Sequence, residues 1–469
     1  MTVSTYPRRT GIASESGKIY DVTAYGATAN AKSVTDATMT SRTGAGTVTV
    51  TSATAAFVSG DVGKICAINA RVSNTTTARG YIYSVESATS ITVWVYATVS
   101  TIASGGSFVW GTDSNSAIQS AVTDASSSGG SVYFPSGAYV TSGTYELTNG
   151  ASFIGDGHSR ADVYGPVTKG GSILISCSAW SSGTPFVNVN GKGGSIRDIS
   201  IDANQRLDYC VQLSQTQCSV INALIAKGTV VGLYITAGSS NVTKSHIYNQ
   251  FIGYPIQATG DTIIDGCYVF GGGSTKATIY LVNPVDDFQI VGNHIYRGGW
   301  GETLSNVDGP NLHVLQNSTT DSSGGLISKN VFDTALGPQI RIQITNSSAS
   351  LPLRALSIAD NLFYQPQSAW TDNTYPCIKV ESGSAGTNHV YIRGLSISGN
   401  VAKGLWSPAR SYTAFVEFSL LATYGHVIGC SIVGNTADNC NALYAGGYTP
   451  DYTAGNCTIA GVGTVVAVA

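Results

Sequence analysis

Apolar and polar positions in the C-terminal two-thirds of this chain follow a returning phrase: an aliphatic residue, two others, usually Asn, then an apolar residue two places on. It reads Ile290-Val-Gly-Asn293-His-Ile295, Ile327-Ser-Lys-Asn330-Val-Phe332, Ile358-Ala-Asp-Asn361-Leu-Phe363, Ile397-Ser-Gly-Asn400-Val-Ala402 and Ile432-Val-Gly-Asn435-Thr-Ala437. Weaker copies precede these at Val242-Thr-Lys-Ser245-His-Ile247 and Ile264-Asp-Gly-Cys267-Tyr-Val269. Successive fourth positions lie 22, 26, 37, 31, 39 and 35 residues apart. A period with a floor near 22 and irregular additions marks a solenoid whose coils carry insertions. The copies are filled with Ile, Val, Thr and Tyr and lack helical periodicity, so the pattern predicts an all-β parallel β-helix over 141–460.

Upstream the texture changes. Residues 1–18 are polar and unpatterned, as suits an attachment peptide, and 19–27 read as a strand closed by Gly26. From about 35 to 110, short strands alternate with turn signals (46–51, 65–70, 80–85, 90–95, 106–110), which predicts a small all-β insertion within a region spanning 19–110. One amphipathic helix follows, capped by Thr112 or Asp113, with Ala117, Ile118, Ala121, Val122 and Ala125 on one face. A solenoid needs its first coil covered, and a helix with its following strands (111–140) is the expected cap. Residues 461–469 form a short apolar tail.

Tyr20-Asp-Val-Thr-Ala-Tyr-Gly-Ala27, Thr112-Asp-Ser-Asn-Ser-Ala-Ile-Gln-Ser-Ala121 and Gly129-Gly-Ser-Val-Tyr-Phe-Pro-Ser-Gly-Ala-Tyr139 together resemble the N-terminal signature of the pectate-lyase-like superfamily. More narrowly they resemble bacteriophage tailspikes, which often split that signature with a β insertion. The resemblance covers about 19–460. It implies a right-handed, single-stranded parallel β-helix in a homotrimer. It also implies a place in the virion tail, joined to a baseplate or tail adaptor through the N-terminal segment, and a host cell-surface polysaccharide as the bound molecule. The Gly-Asp-Gly that commonly follows the first strand is replaced by Ala27-Thr-Ala-Asn30, and the motifs of polygalacturonases are not assembled: Asp286-Asp287 stands alone and Arg341-Ile-Gln343 is a partial echo.

Composition narrows the partners. Charged residues make up 11 % of the chain and the net charge is −3 without a basic stripe, which argues against nucleic acid. No stretch is long and apolar enough to insert in a membrane. The first 17 residues lack the apolar run of a signal peptide, so release by lysis is expected rather than secretion. Nine cysteines form no Cys-x-x-Cys pair, and Cys267 occupies the Asn column of the repeat, so buried thiols are expected rather than disulfides. No phosphate loop, Ser-His-Asp arrangement, zinc motif or calcium spacing stands out, and neither cofactor nor metal is expected.

Strand alternation turns the phrase into a map. With Asn at zero, positions −3 and +2 are apolar and point inward, while Asn itself lies at a tight corner where stacked amides bond between coils. Positions +1 and +3 then face outward as His246/Tyr248, Tyr268/Phe270, His294/Tyr296, Val331/Asp333 and Leu362/Tyr364. Such an outward ring stripe is either a platform for sugar rings or a face that packs against a subunit or loop. Trp300, Trp370 and Trp406 fall beyond the apolar step of three coils, with Arg297, Glu302 and Asp308 around the first. Each Trp could cover its own loop; three in register suggest a groove. Hydrolysis of a glycosidic bond needs two carboxyl groups, and Glu302, Asp308 and Asp333 form the first candidate acid/base cluster. Glu381, Glu417 and Asp265 come next. The sugar-binding set is His294, Tyr296, Arg297, Trp300, Tyr364, Trp370 and Trp406. A lyase or epimerase would instead use His294 with Arg297 as base and uronate partner, and a non-catalytic adhesin of the same fold needs only the rings.

Overall fold

The computed structural model describes residues 18–70, 73–159, 170–179, 181–249, 253–273, 275–284, 287–299, 309–317, 322–345, 353–364, 375–382, 390–403, 414–419, 425–428, 430–438, 444–445 and 458–460. Each coil gives one strand to each of three parallel sheets. In the coil of Asn293, Phe288–Val291 lies in sheet I, His294–Tyr296 in sheet II and Leu312–Gln316 in sheet III. The chain then re-enters sheet I at Ser322–Ser328, with Ile327 beside Ile290. Among the described residues sheet I has 15 strands, beginning at Ile19–Asp21, and sheets II and III have 11 each. Ile264, Ile290, Ile327, Ile358, Ile397 and Ile432 stack in one fully buried column, faced by Ile247, Val269, Ile295, Phe332, Phe363 and Ala402 from sheet II. Each such Ile, Val or Phe side chain contributes about 1.5–3 kcal/mol by leaving water.

The corner between sheets I and II has one geometry throughout. The residue before the zero position is left-handed in every coil from Asp198 (φ 54°) through Asn222, Lys244, Gly266, Gly292, Lys329, Asp360 and Gly399 to Gly434 (φ 65°). That conformation favours Gly, Asn and Asp, which fill most of these places. It turns the chain within two residues and directs the next side chain into the column. Each Asn from Asn293 to Asn400 bonds in both directions. Asn330 Nδ2 donates to Ile290 O (2.7 Å) and to Asn361 Oδ1 (3.0 Å), and the Asn330 backbone N–H donates to that same Oδ1 (3.0 Å). The pattern continues through Asn361, Asn400 and Asn435. Cys267 substitutes in the column, its N–H donating to Asn293 Oδ1 (2.8 Å) and its thiol facing Val242 O (3.4 Å). Seven cysteines lie among the described residues, all of them buried.

Helix Asn115–Ser128 buries Ala117, Ile118, Ala121, Val122 and Ala125 against the first coil. Its N-cap is Ser114, one or two residues later than the sequence suggests. Asp113 instead braces the start, its Oδ1 accepting from Asn115 N (3.0 Å) and Ser142 N (3.1 Å). The insertion is a closed antiparallel barrel of six strands, Lys32–Met39, Gly46–Thr51, Ile65–Ala70, Ser73–Ser87, Ser90–Val95 and Ile102–Gly111. It has its own core around Ile82, Ile91 and Phe108. Beneath it, Ala67 and Val109 pack on Ala138, Val140, Ile173, Ile175 and Leu224 of sheet II, and Asn69 Nδ2 donates to Asn204 O (2.9 Å). The barrel therefore covers the outer face of sheet II at its N-terminal end.

Candidate functional site

Where the barrel stops, the outer face of sheet II becomes aromatic. His246, Tyr268 and His294 occupy one column on successive coils, with ring centroids 5.6 and 4.8 Å apart, and His158 adds a ring 5.0 Å from His246. Tyr268 is 38 % exposed. The column at +3 behaves differently from the outward stripe expected: Tyr248 and Phe270 are nearly buried, stacked 4.7 Å apart, with Tyr296 packed against them. Arg297 explains part of this, its guanidinium lying 5.0 Å over Phe270. Burial and then the Tyr268 hydroxyl push the Tyr296 phenol well above its ordinary pKa. Tyr248 and Phe270 are thus withdrawn from solvent, while Tyr296 stays partly exposed.

Asp333 follows Tyr296 in the neighbouring column. Its Oδ2 lies 3.6 Å from His294 Nε2 and its Oδ1 accepts from Thr334 Oγ1 (2.5 Å). Tyr364 follows in the same column, beside Asp333. Of the sequence candidates, the structure thus brings together His294, Tyr296, Arg297, Asp333 and Tyr364. Glu302, Asp308, Trp300, Trp370 and Trp406 lie outside the described residues. Asp333 consequently stands here with a histidine and without a second described carboxylate.

Sheet III carries the denser chemistry. Tyr254 stacks on Tyr280 (4.7 Å), Tyr280 meets His313 (5.0 Å), and His313 Nε2 is 3.0 Å from Gln343 Oε1. Burial and then Tyr254 push the Tyr280 phenol up to about 12. Next comes an ion network: Lys379 Nζ lies 3.0 Å from Glu381 Oε2 and Arg341 Nε lies 3.5 Å from Glu381 Oε1. All three side chains are partly withdrawn from water, at 21, 15 and 11 % exposure for Lys379, Glu381 and Arg341. On the following coil Glu417 sits beside Lys379, and Ser419 Oγ donates to its Oε1 (2.6 Å). Glu381 and Glu417 are thus diagonal neighbours on adjacent strands, about 8 Å apart at the backbone from strand spacing and rise. The sequence carries a signal for this set, the outward alternation in Ile340-Arg-Ile-Gln, Ile378-Lys-Val-Glu and Val416-Glu-Phe-Ser.

Comparison with known proteins bears on the fold. Residues 111–218 match the family model described as "Rhamnogalacturonase A/epimerase, pectate lyase-like". No curated protein matches the chain. Among solved structures, the mannuronan C-5 epimerase A-module of Azotobacter vinelandii is 14 % identical (72 % of this chain, 96 % of that one, TM-score 0.40). The DFA-IIIase of Arthrobacter chlorophenolicus A6 is 13 % identical (69 % and 80 %, TM-score 0.47). The enzymatically active domain of bacteriophage CBA120 tailspike protein 2 is also 13 % identical (82 % and 58 %, TM-score 0.46). At such identity and overlap the chemistry has to be read from this chain's own residues. The three-sheet coil and the capping helix make it a right-handed parallel β-helix, and over 111–218 the chain is similar to the pectate-lyase-like family model.

Proposed function

We propose that this chain binds and depolymerises a polysaccharide by hydrolysing its glycosidic bonds, and that it does so as a homotrimeric phage tailspike acting on a host surface glycan. The observation that carries the reading is the pair Glu381 and Glu417 on neighbouring coils of sheet III, set among Arg341, Lys379 and a ladder of rings. Two carboxyl groups flanking the scissile bond are what glycoside hydrolysis requires, at about 5 Å for retention and about 6.5–9.5 Å for inversion. A backbone diagonal of about 8 Å suits the wider, inverting separation. In this reading Glu417, held by one serine hydroxyl, protonates the leaving oxygen. Glu381, engaged by two cations, activates the water. Tyr254, Tyr280 and His313 supply ring faces for neighbouring sugars along the same sheet. The family description over 111–218, which names a rhamnogalacturonase and an epimerase, supports a carbohydrate substrate.

Incubation with purified capsular, O-antigen and exopolysaccharides tests the proposal. New reducing ends without ultraviolet absorbance are the expected result. Absorbance of an unsaturated uronate would replace hydrolysis by elimination, with Lys379 and Arg341 as base and uronate partner. Binding without any cleavage would make the chain an adhesin.

A further inference from the structure

The barrel carries a surface that its own fold does not use. In the pairing of Ser73–Ser87 with Ser90–Val95, Ile82 lies opposite Val93 and both point into the closed core. Alternation then places Tyr81, Tyr83, Trp94 and Tyr96 outside. Tyr83 is 55 % and Tyr96 50 % exposed. Their rings form pairs, Tyr81 with Tyr96 at 6.3 Å and Tyr83 with Trp94 at 6.5 Å, and Arg79 lies 4.9 Å over Tyr96. The surrounding positions are hydroxylated. Thr47 stands opposite Trp94 and Thr49 opposite Thr92 on the next strand. Glu86 Oε1 accepts from Ser84 Oγ (2.5 Å) and Thr92 Oγ1 (2.7 Å).

Four clustered rings on a small barrel call for a partner, since isolated exposed aromatics need none but contiguous ones do. The composition of this face selects which one. Its outward positions on three strands are Tyr, Trp, Thr, Ser, Arg and Glu, with no aliphatic side chain among them. The buried centre of a protein interface is apolar and depleted in Ser and Glu, which fits poorly. A sugar offers the complement: C–H faces that pack on rings, and hydroxyl groups that exchange hydrogen bonds with Thr, Ser, Glu and Arg.

We infer that the aromatic face around Tyr83 and Tyr96 is a non-catalytic binding site for a polysaccharide chain, separate from the sheet III face. The inference rests on the reading of the protein as polysaccharide-acting, and extends it from one site to two. A chain held on the barrel stays near the coils while its glycosidic bonds are presented elsewhere on the column.

Affinity electrophoresis of the full chain tests this, in gels containing alginate, polygalacturonate, dextran or purified bacterial capsular polysaccharide. The wild type is expected to be retarded by at least one of them. The double variant Tyr83→Ala/Tyr96→Ala should bind that polymer roughly tenfold or more weakly. Its melting temperature should be unchanged, because both rings lie outside the core. Equal migration of wild type and double variant in every gel, retarded or not, overturns the site. So does a smaller hydrodynamic size of the double variant, which would make the patch a subunit contact. Reducing-end release is scored alongside. Cleavage without patch-dependent retardation removes this inference alone, whereas patch-dependent retardation without cleavage removes the depolymerase reading alone.

Discussion

Sheets II and III are built from the same coils yet present opposite surfaces. Sheet II is covered by the barrel at one end and continues as a column of His246, Tyr268 and His294, with Asp333 in the neighbouring column beside His294. Sheet III shows rings at one end and an ion network with two carboxylates at the other. The difference is one of charge rather than shape. Rings can hold a sugar or a subunit, but only a carboxyl pair can exchange protons with both the leaving oxygen and the attacking water. The column supplies the spacing; the outward residue decides what each face can do.

The comparison breaks most sharply at the carboxylates. Glu381→Gln and Glu417→Gln should each lower cleavage by about 10²- to 10⁴-fold, whereas Asp333→Asn should change it less than about tenfold. Initial rates of reducing-end release measure both. A reversed order would transfer the chemistry to sheet II.

The cover over sheet II gives the next effect. Asp61 is fully buried in the barrel, accepting from Lys64 Nζ (2.7 Å) and Val58 N (3.1 Å). Burial alone would raise its pKa, but these bonds and the charges of Lys64 and Lys32 outweigh it and hold the carboxyl below its ordinary value. The stability it contributes is therefore present above the unfolded value near pH 4, and is lost as pH falls through the depressed folded value. Asp61→Asn should cost about 2–4 kcal/mol at neutral pH and flatten that acid limb, as read by melts between neutral and acidic pH.

A third test reaches the corner shared by sheets I and II. Asn361→Ala leaves Ile327 O, Asn330 N and one Asn400 Oδ1 interaction unmatched, at about 2–3 kcal/mol in denaturant unfolding. Smallest is Lys329→Gly. Lys329 holds φ 56°, and relief of that strain should stabilise the coil by about 0.5–1 kcal/mol.

Much of this was legible in the chain because some positions have few physical solutions. A stacked corner amide must accept N–H groups of the preceding coil on its oxygen and donate from its nitrogen to a preceding carbonyl, so Asn returns at 293, 330, 361, 400 and 435. The left-handed place before it wrote itself as Gly, Asp or Asn in most coils. The shielding of Tyr248 and Phe270 was not legible, since it depends on what stacks across coils and on Arg297 folding over a ring. Nor was the pairing of Glu381 with Lys379 and Arg341 singled out. Sheet III lacks a marker residue like the corner Asn, and the segments joining it to its neighbours vary in length, so its register cannot be counted from the phrase. The barrel announced its strands but not its closure, and Lys32–Met39, the strand that completes it, begins ahead of the first turn signal.

The amide ladder has a direction. Each corner N–H donates to the Oδ1 of the coil that follows, so a coil finishes its own bonding only when its successor has been laid down. A chain leaving the ribosome makes the helix-capped end first, and every completed coil then offers open donors and three bare strand edges to the segment emerging next. Growth of this protein is accordingly closer to the advance of a crystal from a seeded face than to the collapse of a globule. In such a column each layer is the template for the next, so an error in one layer is offered to the layer above.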